Sequence, residues 1–309
     1  MKKIFLLLSL LLFLASCSVD TQQTDISFSI DQGYRIDYGS NPRIIDYDGE
    51  KLKLAYEYQA KELMNNPSEK AYISESTDMI NFEDNRKITI EEQKGPWLAF
   101  NNFFVRYIVD TFIQGIIYEK SFDEFTYISN DEICYDLTIN DNGKIGVQTY
   151  YVFNDKIYFL YNHDEIIDNN EVIFVKMLTS DEECNFKLTN NDVLEYYYDD
   201  GTHISYADPN AIVLQDGRVL LITMVQEKGV PKPPAGRTGD IYGFISDDGV
   251  NFEPLGKLLS WEDFTEFEVY SLNDPKLIQL EDGTIKIYVA AMIPEDDTFK
   301  WIIVSATSK

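Results

Sequence analysis

The chain has 309 residues, 44% of them hydrophobic and 26% charged, enough apolar side chain to bury a core, which excludes disorder as its main state. Against 53 Asp and Glu stand 26 Lys and Arg, a net charge of -27, so no basic face is available to neutralise a phosphate backbone and nucleic acid is excluded as a partner. With 21 Tyr, 19 Phe and only 2 His, the composition suits pleated sheets and argues against a histidine-built zinc site; no metal ligand set and no cofactor is predicted.

Lys2 and Lys3 precede an apolar run from Ile4 to Leu14, broken only by Ser9, which is too short to span a bilayer and reads as a secretory signal peptide over residues 1–16. The run ends Leu14-Ala15-Ser16-Cys17, which resembles the lipobox of bacterial lipoproteins. The resemblance implies cleavage before Cys17, lipidation of Cys17 and an extracytoplasmic protein anchored through lipid in the bacterial cell envelope, where several acyl chains make a stable anchor. Residues 17–33 then read as the lipidated cysteine and a polar tether, and residues 34–309 as the folded domain. Cleavage also removes Lys2 and Lys3, so the remaining body is still more acidic and is repelled by anionic lipid. Cys134 and Cys184 allow either one disulfide or two buried thiols.

An internal repeat organises the rest. NPRIIDYDGEKLKLAY from Asn41, GVQTYYVFNDKIYFLY from Gly146, DPNAIVLQDGRVLLI from Asp208 and DPKLIQLEDGTIKIY from Asp274 each join two strand-like runs through Asp-Gly or Asn-Asp. Such a turn tolerates positive φ, and Pro at the strand start costs no ladder donor, so each copy is a predicted β-hairpin. A second motif follows each hairpin: Ser76 to Phe82, Ser180 to Phe186 and Ser246 to Phe252 share Ser-x-acid-x-x-Asn-Phe, with a shortened form at Ser121 and Ser308 in the equivalent place. Ser and Asp bond turn amides and Phe anchors the next strand, so the motif marks a strand-turn-strand corner. Five units of about four strands predict an all-β, five-bladed β-propeller, with Tyr34 to Asp37 supplying the strand that closes the ring; a β-sandwich is the competing architecture. Residues 56–66 read as a short helix or a long hairpin, and the Pro/Gly-rich residues 228–240 as an exposed excursion within a unit.

IYGFISDDGVNFEPLGKLL and SLNDPKLIQLEDGTIKIYVAAM resemble the blade pattern of five-bladed propeller glycosidases, the arabinanase, xylosidase and invertase-like group, clearly over residues 205–309 and faintly over 34–200. The corner motif resembles the Asp-box of sialidases, a folding element. The resemblance implies a central funnel lined by the innermost strands, an oligosaccharide or glycan as ligand, and acidic residues converging on the sugar. Glycoside cleavage needs two carboxyl groups, one kept protonated. Asp208 and Asp274, opening adjacent inner strands, are the predicted pair, and Glu268 is the reserve general acid. Where the family places its general base, in the first-blade Asp-Pro pair, this chain has Asn41-Pro42, and an amide cannot serve as a base. Trp97 is expected to stack on a sugar ring, Arg237 to meet a carboxylated sugar, and His203 to lie on the same rim. A structural Ca²⁺ is compatible with a carboxylate-lined funnel, although no loop has a calcium-ligand spacing. The expected protein is a monomer that turns over an oligosaccharide; the alternatives are a propeller that binds glycan or protein without catalysis, and a phosphorylase, which would need a basic pocket.

Overall fold

The Asp-Gly pairs turn hairpins. Around Asp216-Gly217 the Leu214 amide donates to the Arg218 carbonyl at 2.7 Å, and around Asp282-Gly283 Leu280 donates to Thr284 at 2.8 Å. Gly217 and Gly283 take φ of 87° and 88°, a region where an L side chain is strained. A computed structural model describes residues 26–59, 71–88, 97–110, 112–123, 126–140, 145–167 and 170–309. In it the hairpins grow into five antiparallel sheets arranged as the blades of a propeller.

The chain begins with two short strands, β1 (Phe28–Ile30) and β2 (Ile36–Asp37). The first blade is β3 (Gly39–Tyr47), β4 (Leu52–Tyr58), β5 (Ala71–Ser76) and β6 (Glu83–Lys87); the second is β7 (Leu98–Phe100), β8 (Phe103–Asp110), β9 (Gly115–Ser121) and β10 (Tyr127–Asp136). The third is β11 (Gln148–Phe153), β12 (Lys156–Ile167), β13 (Asn170–Ser180) and β14 (Lys187–Asn190), and the fourth is β15 (Ser205–Val213), β16 (Val219–Gln226), β17 (Ile241–Ser246) and β18 (Glu253–Leu259). The fifth is β19 (Ser271–Gln279), β20 (Ile285–Glu295) and β21 (Thr298–Ser308), completed by β1 from the other end of the chain. Of residues 56–66, Tyr56 to Tyr58 end strand β4, and the rest of that stretch from residue 60 lies outside the described residues. Residues 228–240 are the excursion between β16 and β17.

Packing follows from the second strand of each blade. Val219 to Val225 of β16 and Ile285 to Ile293 of β20 are buried throughout, as a strand must be when it has neighbours on both edges and sheets on both faces. The apolar clusters sit between blades: Leu220 and Ile222 pack with Ile287 and Val289, while Leu160 and Val175 pack with Leu221 and Phe244. Buried tyrosines bolt one blade to the next blade's corner. Tyr288 donates its hydroxyl to the Met79 carbonyl at 2.9 Å, Tyr107 to Glu183 at 2.8 Å, and Tyr151 to Gly249 at 2.6 Å. Each acceptor is the fourth residue of a Ser-x-acid-x-x-Asn-Phe corner. Within two corners Asp78 and Asp248 accept from the backbone amides of Asn81 and Asn251, at 2.7 and 2.8 Å, so the motif is a turn that presents a carbonyl to its neighbour.

The ring closes where expected, through a longer segment than expected. β2 pairs with Ile302 and Ile303, and six residues earlier β1 pairs Phe28 with Ser308 and Ile30 with Ala306, so part of the stretch anticipated as tether is the outer strand of the fifth blade. Asp31 fastens this clasp by accepting from Ser305 at 2.6 Å, Thr307 at 2.7 Å and Lys286 at 2.9 Å. Burial alone would raise its carboxyl; the three donors outweigh burial and hold it below the usual range. A carboxyl depressed in the folded state contributes stability above its unfolded value and loses it as pH falls through the folded one. Asp31→Ala is therefore expected to cost about 1–3 kcal/mol at pH 7 and progressively less in acid, read from urea melts of variant and parent. Equal midpoints at pH 7 would mean the clasp contributes nothing.

Cys134 in β10 and Cys184 in the third-blade corner are joined as a disulfide, with Cα atoms 4.6 Å apart. Of the two arrangements left open by the sequence, this is the one formed.

Candidate functional site

Three inner strands carry the same local break. Pairing slips between Ser40 and Arg43 in β3, between Ala207 and Asn210 in β15, and between Asn273 and Lys276 in β19. In each slip an Asn-Pro or Asp-Pro pair sits unpaired, and Asn41, Asp208 and Asp274 take φ of 48°, 54° and 53°. Asn and Asp tolerate this left-handed region better than other side chains, and Pro has no amide to lose, so the repeated dipeptide is suited to a bulge that re-aims the residue before it. Positive φ at a non-glycine residue persists only where the surroundings impose it, and such positions gather at functional sites.

The bulges bring Asp208 and Asp274 together. The Asp274 backbone amide donates to Asp208 Oδ2 at 3.3 Å, and one strand turn further the Leu277 amide donates to Asn210 Oδ1 at 2.7 Å, tying the fourth and fifth blades at the ring's centre. Both aspartates keep part of their surface open while protein surrounds them. Burial pushes the Asp208 carboxyl above its usual range against the pull of Lys276. Burial and then the neighbouring Asp208 push Asp274 up to about 7. Two like charges held this close in a desolvated site cannot both ionise freely, so the pair retains a proton near neutrality.

Three further residues complete the constellation, none of them singled out by the sequence. Lys276, 7% exposed, stands two residues after Asp274; burial pulls its ammonium below the usual range although Asp274 and Asp208 both stabilise its charge. Arg43 stands at the same offset after Asn41 and is held down by burial, with Glu57 acting in the opposite sense. Glu57, on β4 opposite Ser40, accepts from Asn41 Nδ2 at 3.2 Å and adds negative charge near Asp274. Arg43, Asn210 and Lys276 share one place in the repeat, a signal in the sequence; Glu57 has none, because only strand register brings it to Asn41.

The other expected residues lie elsewhere around the mouth. Glu268 is exposed and accepts from Arg237 Nη2 at 2.7 Å, and the same guanidinium lies 4.0 Å from the Tyr270 ring centre and donates to the Pro234 carbonyl at 3.0 Å. Glu268 and Arg237 thus pair with each other on the loops between β16 and β17 and between β18 and β19, and Glu268 is not brought to the aspartates. His203 is mostly buried, with Nε2 2.6 Å from Asp192 Oδ2 and its ring 4.7 Å from Phe174, a lock within the connection from the third blade to the fourth. Trp97 is partly exposed and the Arg106 guanidinium lies 4.5 Å over its ring, itself held by the buried Glu119 at 2.6 Å. Among the described residues no group of three or more His, Cys, Asp or Glu is arranged to hold a metal ion. Cys17 lies outside the described residues.

A family model for the prokaryotic membrane lipoprotein lipid attachment site matches residues 1–18. No curated protein matches the chain. Among solved structures the chain is similar to a glycoside hydrolase, with a TM-score of 0.60 at 12% identity, covering 91% of this chain and 92% of the other. An N-acetylgalactosamine deacetylase from F. plautii, solved with blood group B trisaccharide, gives a TM-score of 0.55 at 14% identity over 92% and 96% of the two chains. The Bombyx mori GH32 beta-fructofuranosidase gives 0.54 at 14% identity, covering 90% of this chain and 61% of the enzyme. The chain therefore has the five-bladed β-propeller fold found in these glycoside hydrolases, behind a prokaryotic lipoprotein attachment site.

Proposed function

We propose that this is a lipid-anchored, extracytoplasmic glycoside hydrolase-like protein that acts on an oligosaccharide through carboxylates at the base of its funnel. The observation that carries this reading is the pairing of Asp208 with Asp274, with Asp274 raised to about 7 by burial and by its neighbour. A carboxyl that keeps its proton at neutral pH is what a departing sugar oxygen requires. In this reading Asp274 gives its proton to the glycosidic oxygen and Asp208, beside Lys276, keeps that proton in place. Glu57 then acts as the general base, taking a proton from the water whose oxygen bonds the anomeric carbon as the bond to the leaving sugar oxygen breaks. What supports this choice is that the Asn41 amide, standing where the resembled family has its base, donates to Glu57 at 3.2 Å.

The reading sets a pH dependence. Asp274 works in its protonated form, so kcat/KM is expected to fall as pH rises through about 7. Asp208→Asn removes the like charge that raises Asp274, and the alkaline limb should then move to lower pH. Profiles of both proteins on one oligosaccharide test this, and a limb that stays in place would remove Asp208 from the role.

A second reading rests on Asn41 itself. An amide at the position where the resembled family has its base also suits a propeller that holds glycan without cleaving it. Calorimetric binding of an oligosaccharide that is never turned over would favour that reading.

A further inference from the structure

We propose that the protein stands on its bilayer with the funnel mouth turned away from it, so that ligand reaches Asp208 and Asp274 from the aqueous side. The orientation rests on lipidation at Cys17; the nature of the ligand rests on the reading above.

The argument is topological. In each blade the first and third strands start on one face of the ring, and the second and fourth strands start on the other. Asp208 and Asp274 fall in the first half of β15 (Ser205–Val213) and β19 (Ser271–Gln279), close to the face that also carries the long loops 227–240 and 260–270. β1 is the fourth strand of the fifth blade and runs antiparallel to β21, with Phe28 opposite Ser308. The folded chain is therefore entered at the opposite face, where Ile26 packs on the core and the Ser27 carbonyl accepts from the Lys309 amide at 3.0 Å, beside the end of β21.

The length of chain between anchor and blade decides whether this entry point matters. Residues 18–25 separate Cys17 from Ile26, which already packs on the core, and at about 3.3–3.6 Å per residue they reach about 30 Å when fully drawn out. The 11 residues of β21 alone rise about 36 Å along the flank of the blade. Turning the mouth to the bilayer would consume the whole connection, pulled straight along the blade. The entry face is also edged with exposed acidic turns, Asp48, Asp247 and Asp282 among them. An anionic leaflet repels such a face, which therefore stands off at the length of the connection instead of lying flat.

The test uses the lipidated full chain in phosphatidylcholine vesicles that carry an acceptor dye on the headgroup. A donor is attached at Asp282→Cys, in the exposed turn on the entry face, or at Asp297→Cys, in the exposed turn on the mouth face of the same blade. Energy transfer is expected to be several-fold greater from position 282 than from position 297, and Cys17→Ala should abolish transfer from both. Equal transfer, or more from 297, would overturn the orientation; vesicle transfer retained without Cys17 would overturn the role of the anchor. Neither outcome depends on catalysis, so failure here is distinct from failure of the hydrolase reading.

Discussion

Asp274→Asn is expected to abolish cleavage and, above pH 7, to make the protein more stable. Loss of a general acid costs about 10²–10⁴-fold in rate. The gain in stability has the same origin as the activity. The Asp274 carboxyl sits near 7 in the folded protein against 3.8 in an unfolded chain, so between those values the folded state binds more protons than the unfolded state. Stability therefore falls as pH rises across that interval, and the full cost is present above it. Asparagine keeps the shape and removes the charge, relieving about 1–3 kcal/mol, less than the full shift implies because water still reaches the site. For a domain of this size that is a rise in Tm of several degrees at pH 8, shrinking to nothing near pH 4. Thermal melts at the two pH values check it. A lower Tm for Asp274→Asn at pH 8 would mean that the carboxylate is a net stabiliser and that no proton is being held there at a cost.

The second large effect concerns the fold. The bond between Cys134 and Cys184 spans 50 residues and ties the outer strand of the second blade to the corner of the third. Removing such a link lets the unfolded chain expand, which on loop entropy alone costs about 4 kcal/mol, with 2–4 kcal/mol the usual measured range. The same junction carries the Tyr107 hydroxyl on the Glu183 carbonyl and the Phe186 amide on the Cys134 carbonyl at 2.9 Å, so the blades remain in register when the bond is cut. Cys134→Ala with Cys184→Ala should fold, melt several degrees lower and lose all sensitivity to reductant. A parent protein whose melting is unmoved by reductant would contradict a structural role for the disulfide.

Much of the architecture is legible in the sequence because its signals are local. Asp216-Gly217 and Asp282-Gly283 specify hairpins by backbone conformation alone, and the corners at Ser76, Ser180 and Ser246 carry their own hydrogen-bond partners. The second blade is faint in the sequence because its β8–β9 hairpin turns through Gln114 at φ of 51°, with no Asp-Gly to mark it. In the sequence Phe28–Ile30 looks like tether, because three residues in a polar stretch show no periodicity; it is a strand only because β21 offers it an edge. The site divides in the same way. Asp208 and Asp274 are marked by the repeated Asp-Pro, and Lys276 by its place two residues on, whereas Glu57 joins them only through strand register and ring closure, which bring together residues far apart in the chain. The place of Glu268 before the fifth hairpin suggests it as an acid, but the nearby Arg237 pairs with it.

The most direct test of the carboxylate site is product release, followed by mass spectrometry, when the mature lipoprotein in detergent is incubated with a panel of envelope and plant oligosaccharides. The account predicts a defined sugar released by the parent protein and none by Asp274→Asn or Glu57→Gln, both still folded. Release that persists in Asp274→Asn, or a parent protein that binds an oligosaccharide and leaves it intact, would contradict it.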